Sequence, residues 1–295
     1  MIRKIIYSDK KEVLRISSQI WEGEDYISEV FDEWTKSEDS IFAGYWENDK
    51  LIGFGRMRYL TSTDIWLEAL RKDPQTKIRG VGNKIALYFM DQLKWEKIDS
   101  IRFSTYFDNI TSIKLNEKLG FKKILTLSLK ELELSDVNVK QQSSKLFSNI
   151  EFNKIEKYIR NTTYLKGSNN FIAIGWVVQS YSKKLIKTIH EKQHYAVYLE
   201  NKKINGVVLY SKDVYKKILW INAIEAEREP VFNELINFVM NVAKQNNCNK
   251  IQLLVPNDTN LMNQVNKIGF KSWEQNDDLL LFEMPRNLIK HITSV

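Results

Sequence analysis

The sequence predicts a mixed α/β fold built twice in tandem, on three observations. A hairpin pattern over residues 41–55 returns over residues 194–208, with Gly206 lying 153 positions after Gly53. An alternating strand beginning at Ile101 has a counterpart at Ile251, and the Leu119-Gly120-Phe121 ending meets Ile268-Gly269-Phe270, at offsets of 150 and 149. Matches in one order with a slowly drifting offset point to an internal duplication. Within each copy strand and helix patterns alternate, which implies a mixed sheet with helices on both faces. A length of 295 residues suits two such domains.

In the first copy the apolar spacing predicts helices near 9–20, 28–37, 83–96 and 110–119. The third puts Ile85, Phe89, Met90 and Leu93 on one face. Residues 41–55 read as strand, polar turn at Glu47 to Lys50, and second strand. A further strand ends at Lys72, where Asp73-Pro74 turns the chain, and another runs over 101–106. The polar stretch 135–143 has no regular apolar face and reads as a linker, which gives domains at 1–135 and 143–295.

Composition excludes several classes. A 27% charged fraction beside 43% hydrophobic and 12% aromatic residues is that of a globular chain and not of a disordered or collagenous one. One cysteine, Cys248, allows no intrachain disulfide, and with three histidines it leaves no His/Cys zinc site, so no metal is expected. The first apolar run is three residues long and no later run approaches the ~20 needed to span a bilayer, so a cytoplasmic protein without a membrane partner is expected. The net charge of +7 comes from lysines spread along the chain. That pattern favours a solvated surface with a mild preference for anionic ligands over nucleic-acid binding.

The segment richest in chemistry follows the strand ending at Lys72. A basic loop carrying Lys77, Ile78, Arg79, Gly80, Val81, Gly82, Asn83 and Lys84 opens an amphipathic helix. Amides at a helix N-terminus lack intrahelical partners and carry the positive end of the dipole, and glycines let a pyrophosphate approach the main chain. Lys77, Arg79 and Lys84 add cations at the same point. A tight Gly-rich turn without a ligand is the alternative.

The order of loop, strand and the segment from Asn109 to Phe121 resembles the GNAT superfamily of N-acetyltransferases. Members carry a Gln/Arg-x-x-Gly-x-Gly/Ala loop and later an Asn-rich helix ending in Leu-Gly-Phe; here the first is Lys77-Ile78-Arg79-Gly80-Val81-Gly82. The resemblance implies two tandem GNAT-like domains, each a mixed, mostly antiparallel twisted sheet flanked by helices. It implies acetyl-CoA as co-substrate, with the pyrophosphate on the amides from Lys77 to Lys84. Main-chain groups of Leu70, Arg71 and Lys72 would meet the pantetheine arm and the thioester carbonyl, and Asn109 and Ser112 would touch the cofactor where the fourth and fifth strands splay. Lys77 replaces the usual Gln or Arg, losing a planar fork but keeping a cation. Asn116 stands where many members carry a tyrosine that protonates the departing thiolate; Tyr106 could substitute for it or simply pack.

An amine arriving as ammonium must lose a proton, which calls for a general base. Glu68 is the candidate, two residues before Leu70 and so expected on the same side of the strand; the alternative is an ion pair with Arg71, Arg102 or a lysine. Direct transfer needs no covalent nucleophile. In the GNAT superfamily the segment 20–28 covers the acceptor, and its Glu-Asp-Tyr-Ile phrase together with Trp66-Leu67-Glu68 resembles a subgroup acting on amino acids or other small amines. Glu22, Glu24 and Asp25 could attract an ammonium while Trp21 and Tyr26 pack on its body; a helix-capping loop is the other interpretation. The second copy has Glu225, Glu227 and Glu229 and no glycine where the cradle should be, so it is expected to bind no CoA. The sequence thus points to an N-acetyltransferase, with an acyl-CoA-binding regulatory module or a protein acetyltransferase as alternatives. A monomer is favoured, because a duplicated pair can satisfy internally the contacts that single-domain members make by dimerising.

Overall fold

The computed structural model describes residues 1–135, 137, 139–213 and 216–293. By its internal contacts the chain forms two units, Met1–Ile124 together with the stretch from Phe282, and Leu125–Leu281. In chain order the elements are β1 (Ile2–Lys4), α1 (Lys10–Ser17), α2 (Ile27–Trp34), β2 (Ser40–Glu47), β3 (Lys50–Tyr59), β4 (Asp64–Lys72), α3 (Val81–Gln92), β5 (Ser100–Tyr106), α4 (Ile110–Lys118) and β6 (Lys122–Glu133). They continue as β7 (Leu146–Phe147), α5 (Phe152–Ile159), α6 (Thr163–Gly167), β8 (Phe171–Ile174), β9 (Val177–Ser180), α7 (Lys183–Glu191), β10 (Tyr195–Glu200), β11 (Lys203–Asp213) and β12 (Ile218–Ala226). The last are α8 (Glu229–Gln245), β13 (Lys250–Pro256), α9 (Thr259–Ile268), β14 (Lys271–Ser272), β15 (Leu279–Glu283) and α10 (Arg286–Thr293).

In the first unit the strand order is β1-β2-β3-β4-β5, antiparallel except for the parallel pair of β4 and β5. One face carries α1 and α2 over a core that includes Val13, Ile16, Phe31, Trp34, Phe42 and Phe54. On the other face α3 packs Val81, Ile85 and Phe89, all buried, against the glycines of β3. The four helices fall where the periodicity predicts them. Only α3 departs by more than three residues: it stops at Gln92 because the chain turns at Leu93, and Trp95 takes a left-handed φ of 69°. Leu93 is fully buried all the same.

The second unit has the order β6-β13-β12-β11-β10-β7, with β12 and β13 the parallel pair. The duplication is legible residue by residue. Both hairpins close on two left-handed residues, Asn48 and Asp49 in one and Asn201 and Lys202 in the other, the conformation that a two-residue type I′ turn requires. Both carry a bulge at the same place, between Tyr45 and Trp46 and between Tyr198 and Leu199. The chain divides at 124 and 281, and not within the polar stretch 135–143 that the sequence marks as a linker. The cause is strand placement: β6 pairs with β13 from Leu127 to Glu133 in the second unit. In the first unit the stretch after β5 in space is C-terminal, with the Met284 amide donating to the Ile101 carbonyl and Phe282 stacked on Phe103 at 5.0 Å. Val137 and Val139 pack on the core of the second unit, so the stretch is not a free tether; Asp136 and Asn138 lie outside the described residues.

Gly53 and Gly206 are equivalent and equally constrained. A Cβ on Gly53 would stand 2.6 Å from the Arg71 carbonyl oxygen and 2.7 Å from Val81; on Gly206 it would stand 3.0 Å from the Glu225 carbonyl oxygen and 2.7 Å from Val231. Main chain cannot yield as a side-chain tip can, so Gly53→Ala should cost about 1–3 kcal/mol. A urea midpoint unchanged from that of the parent would contradict this packing.

Candidate active site

The loop between β4 and α3 is held at its start and open at its end. Asp73, fully buried, accepts from Arg15 Nη1 at 2.8 Å, lies 3.5 Å from Lys50 Nζ, and takes the Gln75 amide at 2.9 Å. Burial alone would push this carboxyl up, but the Arg15 guanidinium, the Gln75 amide and Lys50 more than offset that and hold it below the usual carboxylate range. From this anchor the chain runs through exposed Lys77 and Arg79 to Gly80, which caps α3 in the left-handed conformation, φ 74°, without a side-chain hydrogen bond to the first turn. The first-turn amides of α3 have no intrahelical acceptors, and a Cβ built on Gly80 meets nothing within 4 Å. Gly82 serves a different end: a Cβ there would lie 2.8 Å from Leu115 on α4. Lys84 is drawn to β2, its Nζ 2.9 Å from the Tyr45 hydroxyl.

β4 contains a bulge that the sequence analysis missed. Ala69 adopts φ 57°, and the pairing with β3 jumps from Arg56↔Glu68 to Phe54↔Arg71. An extra residue reverses the alternation that follows it. The side chain of Leu70 therefore approaches the Cβ positions of Gly55 and Gly82 at 3.4 and 3.3 Å, on the α3 face. Glu68 lies on the opposite face with Arg56, whose guanidinium sits 4.4 Å from the Trp34 ring. The expectation that Glu68 and Leu70 share a side is thus overturned. The partner of Glu68 is also different from those expected: Arg56 Nη1 donates to its Oε1 at 2.9 Å. Parallel pairing of β4 with β5 runs from Asp64↔Ser100 to Trp66↔Arg102, and Leu70 to Lys72 lie beyond the last paired position.

On that same face the loop 20–28 comes down on β4. Trp21, Glu22 and Gly23 are consecutive left-handed residues, with φ 47°, 57° and 95°, a conformation that costs energy for the first two. Asp25, buried, does not face an incoming ammonium. It accepts from Arg71 Nη2 at 3.1 Å and Nε at 3.3 Å, and from Ser17 Oγ at 3.1 Å. Trp21 stacks on the Arg71 guanidinium at 4.4 Å and Tyr26 lies 5.9 Å from it. Burial pushes the Tyr26 hydroxyl well above its ordinary value, with Glu68 and Asp25 adding to the rise and Arg71 and Arg56 opposing it. Trp21, Asp25, Tyr26, Glu68 and Arg71 thus converge on one patch, joined by Arg56, which no motif singled out. Its signal in the sequence is Arg56 and Arg58 alternating within an otherwise apolar strand.

Residues 8–121 match the Acetyltransferase (GNAT) family. This segment belongs to the GNAT family. Solved structures of the same fold across nearly the whole chain include a GCN5-related N-acetyltransferase from Sphaerobacter thermophilus, at 10% identity and TM-score 0.67, covering 96% of this chain and 94% of that one. A tandem GNAT protein from the clavulanic acid biosynthesis pathway matches at 9% identity and TM-score 0.61, covering 96% and 97%. An acetyltransferase of the GNAT family from Colwellia psychrerythraea matches at 11% and 0.53, covering 97% and 100%. At such identities the likeness establishes the tandem GNAT fold. No curated protein matches the chain.

The GNAT unit's α4 residues have local partners. Asn109 caps the helix, its side chain accepting from the Ser112 amide at 3.3 Å. Asn116, buried, donates through Nδ2 to the Ser112 carbonyl at 2.9 Å. Tyr106 ends β5, half-buried, with its ring edge-on to Phe107 at 6.2 Å. In the second GNAT-like unit β12 and α8 are joined by residues 227 and 228 alone, where residues 73–80 join β4 and α3 in the first. Glu225 there accepts from the Thr163 and Tyr164 amides at 3.0 and 3.2 Å, and Glu227 and Glu229 pair with Lys203 and Lys267.

The lowered carboxyl of Asp73 has a consequence for stability. Its ionised form stabilises the fold above the unfolded carboxylate value near 3.9, and that contribution disappears as pH falls through the lower folded value. Asp73→Asn should therefore unfold at lower urea than the parent at pH 7, by about 1–3 kcal/mol, with the gap narrowing below about pH 4. A gap independent of pH would show that the charge is irrelevant.

Proposed function

We propose that the first unit moves an acetyl group from acetyl-CoA to a primary amine of a small molecule or amino acid by direct attack, and that the second unit binds no CoA. The observation that carries this is the uncapped start of α3: open space at Gly80, left-handed geometry, and Lys77 and Arg79 exposed beside it. Such an end binds a diphosphate through main-chain donors and the helix dipole. The two-residue connection in the second unit, with no glycine and with Glu225, Glu227 and Glu229 engaged in and beside it, lacks such a loop.

In this mechanism the unpaired edge of β4 at Leu70 to Lys72 receives the pantetheine arm as an added strand, and main-chain donors beside the Ala69 bulge polarise the thioester carbonyl. Glu68, on the acceptor face, takes the proton of the incoming ammonium, directly or through water. The C–N bond forms, the C–S bond breaks, and the thiolate needs a proton. Asn116 cannot supply one, being an amide tied to Ser112; we assign that role to Tyr106, at the end of β5. The same Asn116 keeps open a non-catalytic acyl-CoA-binding module as the second reading.

CoA at a hundred times its Kd should stabilise the protein by about 2.7 kcal/mol, seen as a raised melting temperature. Alanine at Lys77 and Arg79 together should weaken CoA about tenfold and flatten its salt dependence; a melting temperature indifferent to CoA would end the proposal. Thiol release measured over a panel of amines separates enzyme from binding module. Glu68→Gln should lower kcat at least about 100-fold while CoA affinity stays; an unaltered kcat would remove Glu68 as base.

A further inference from the structure

The acceptor face of β3 holds a guanidinium whose Nε is buried without a partner among the described residues. Arg58 follows Arg56 by two residues with regular pairing, Arg56↔Glu68, Met57↔Leu67 and Arg58↔Trp66, so its side chain leaves the sheet on the same face as the Arg56–Glu68 pair. It is half-buried, and among the described residues no hydrogen-bonding or ion-pair partner engages it. Its Nε is buried without an acceptor, and so is the Nε of Arg56. Of the nearby carboxylates, Glu68 pairs with Arg56, Asp39 accepts from the Ser37 hydroxyl, and Glu33 is exposed; none of them forms an ion pair with Arg58 among the described residues. Buried donors left without acceptors are rare and expensive, and a guanidinium fork matches a carboxylate in two parallel hydrogen bonds.

From these observations we infer that the acceptor is a zwitterion, an amine that carries a carboxylate on the same or the adjacent carbon, and that Arg58 binds this carboxylate. The inference rests on the acetyl-transfer function and adds the substrate class to it. Position along the sheet supports it. The Ala69 bulge and Leu70 amide mark where the acyl carbonyl is held; Glu68, opposite Arg56, is the next station; Arg58, opposite Trp66, is one same-face step of about 6.7 Å further. Acyl group, ammonium and carboxylate therefore meet carbonyl-polarising amide, carboxylate and guanidinium in that order along the sheet. A simple amine or polyamine leaves the last station unfilled. The positive charge of Arg58 also repels a second ammonium, which selects against diamines.

The test compares each common amino acid with its decarboxylated amine, for example tyrosine with tyramine and lysine with cadaverine, in both turnover and binding. At least one amino acid should exceed its amine by roughly 30-fold or more in kcat/KM, and should raise the melting temperature of the CoA-saturated protein where the amine does not. Arg58→Ala should erase that preference through KM, leave turnover of the amine within about twofold, and leave the CoA-induced melting shift intact; Arg58→Lys should restore part of the preference. Amines matching or exceeding their amino acids throughout, phosphoethanolamine preferred over every amino acid, or Arg58→Ala lowering both classes equally would each overturn the inference. Amino-acid binding lost in Arg58→Ala but without acetyl transfer would uphold the carboxylate site and defeat the transferase function, so the two failures are distinguishable.

Discussion

A single left-handed residue, Ala69, organises the first unit. With φ 57° in the middle of β4 it admits one extra residue, and the alternation of side chains reverses there. Leu70 is sent to the α3 face, where it fills the space between Gly55 and Gly82, while Glu68 and Arg71 stay on the face of α1 and α2. A strand without the bulge would place either the packing residue or the charged residues on the wrong side. The irregularity lies beyond the last β4–β5 pair, Trp66↔Arg102, where β4 pairs with β3 alone. Packing and charge placement thus depend on one strained position in the sheet.

Much of the fold could be read from periodicity. The helices, the hairpins and the 153-residue offset follow from apolar spacing and turn residues, which local physics determines. What could not be read was non-local. Nothing in the run Trp66-Leu67-Glu68-Ala69-Leu70 announces that its fourth residue bulges, since alanine has no preference for that conformation. The domain limits failed for a related reason: β6 and the C-terminal stretch are each plausible as the last strand of the copy they follow, and which sheet each one joins is a property of pairing over 150 residues. Within the site, Asp25 and Asn109 were recognised as residues of interest, but their partners Arg71 and Ser112 are matters of geometry. Arg15, which anchors the loop after β4 through Asp73, lies 58 positions away in sequence and carries no motif.

The two copies show which features the architecture requires and which one site requires. Both keep the two-residue hairpin turn, the bulge that follows it, the glycine under the first strand-to-helix turn, and the parallel pair. These are conditions for closing the sheet and seating the helix against it. What differs is the connection from that strand to its helix. Two residues suffice to make the turn, as residues 227 and 228 show. The additional length of 73–80 is therefore not needed to make the turn, and the buried Asp73 with Arg15 and Lys50 fixes the start of that longer loop.

The charged pattern in β3 and β4 leads to the same distinction by energy. Placing Arg56 at 3% exposure removes its guanidinium from water, and burial accordingly lowers its pKa despite the Glu68 carboxylate beside it. Replacing a buried ion pair by well-packed apolar residues is often neutral or stabilising, and the adjoining Phe54, Met57, Trp66, Leu67 and Ala69 are apolar, so an apolar pair at 56 and 68 would serve the core at least as well. Trp34 covers the guanidinium by a cation–π contact, and the Asp25–Arg71 pair repeats the arrangement one bulge away under Trp21. Two carboxylate–guanidinium pairs, each roofed by a tryptophan, flank the bulge on the face of α1 and α2. Such an arrangement holds charged groups in fixed positions before any ligand arrives. That order is worth its desolvation cost only if the charges act on something other than each other.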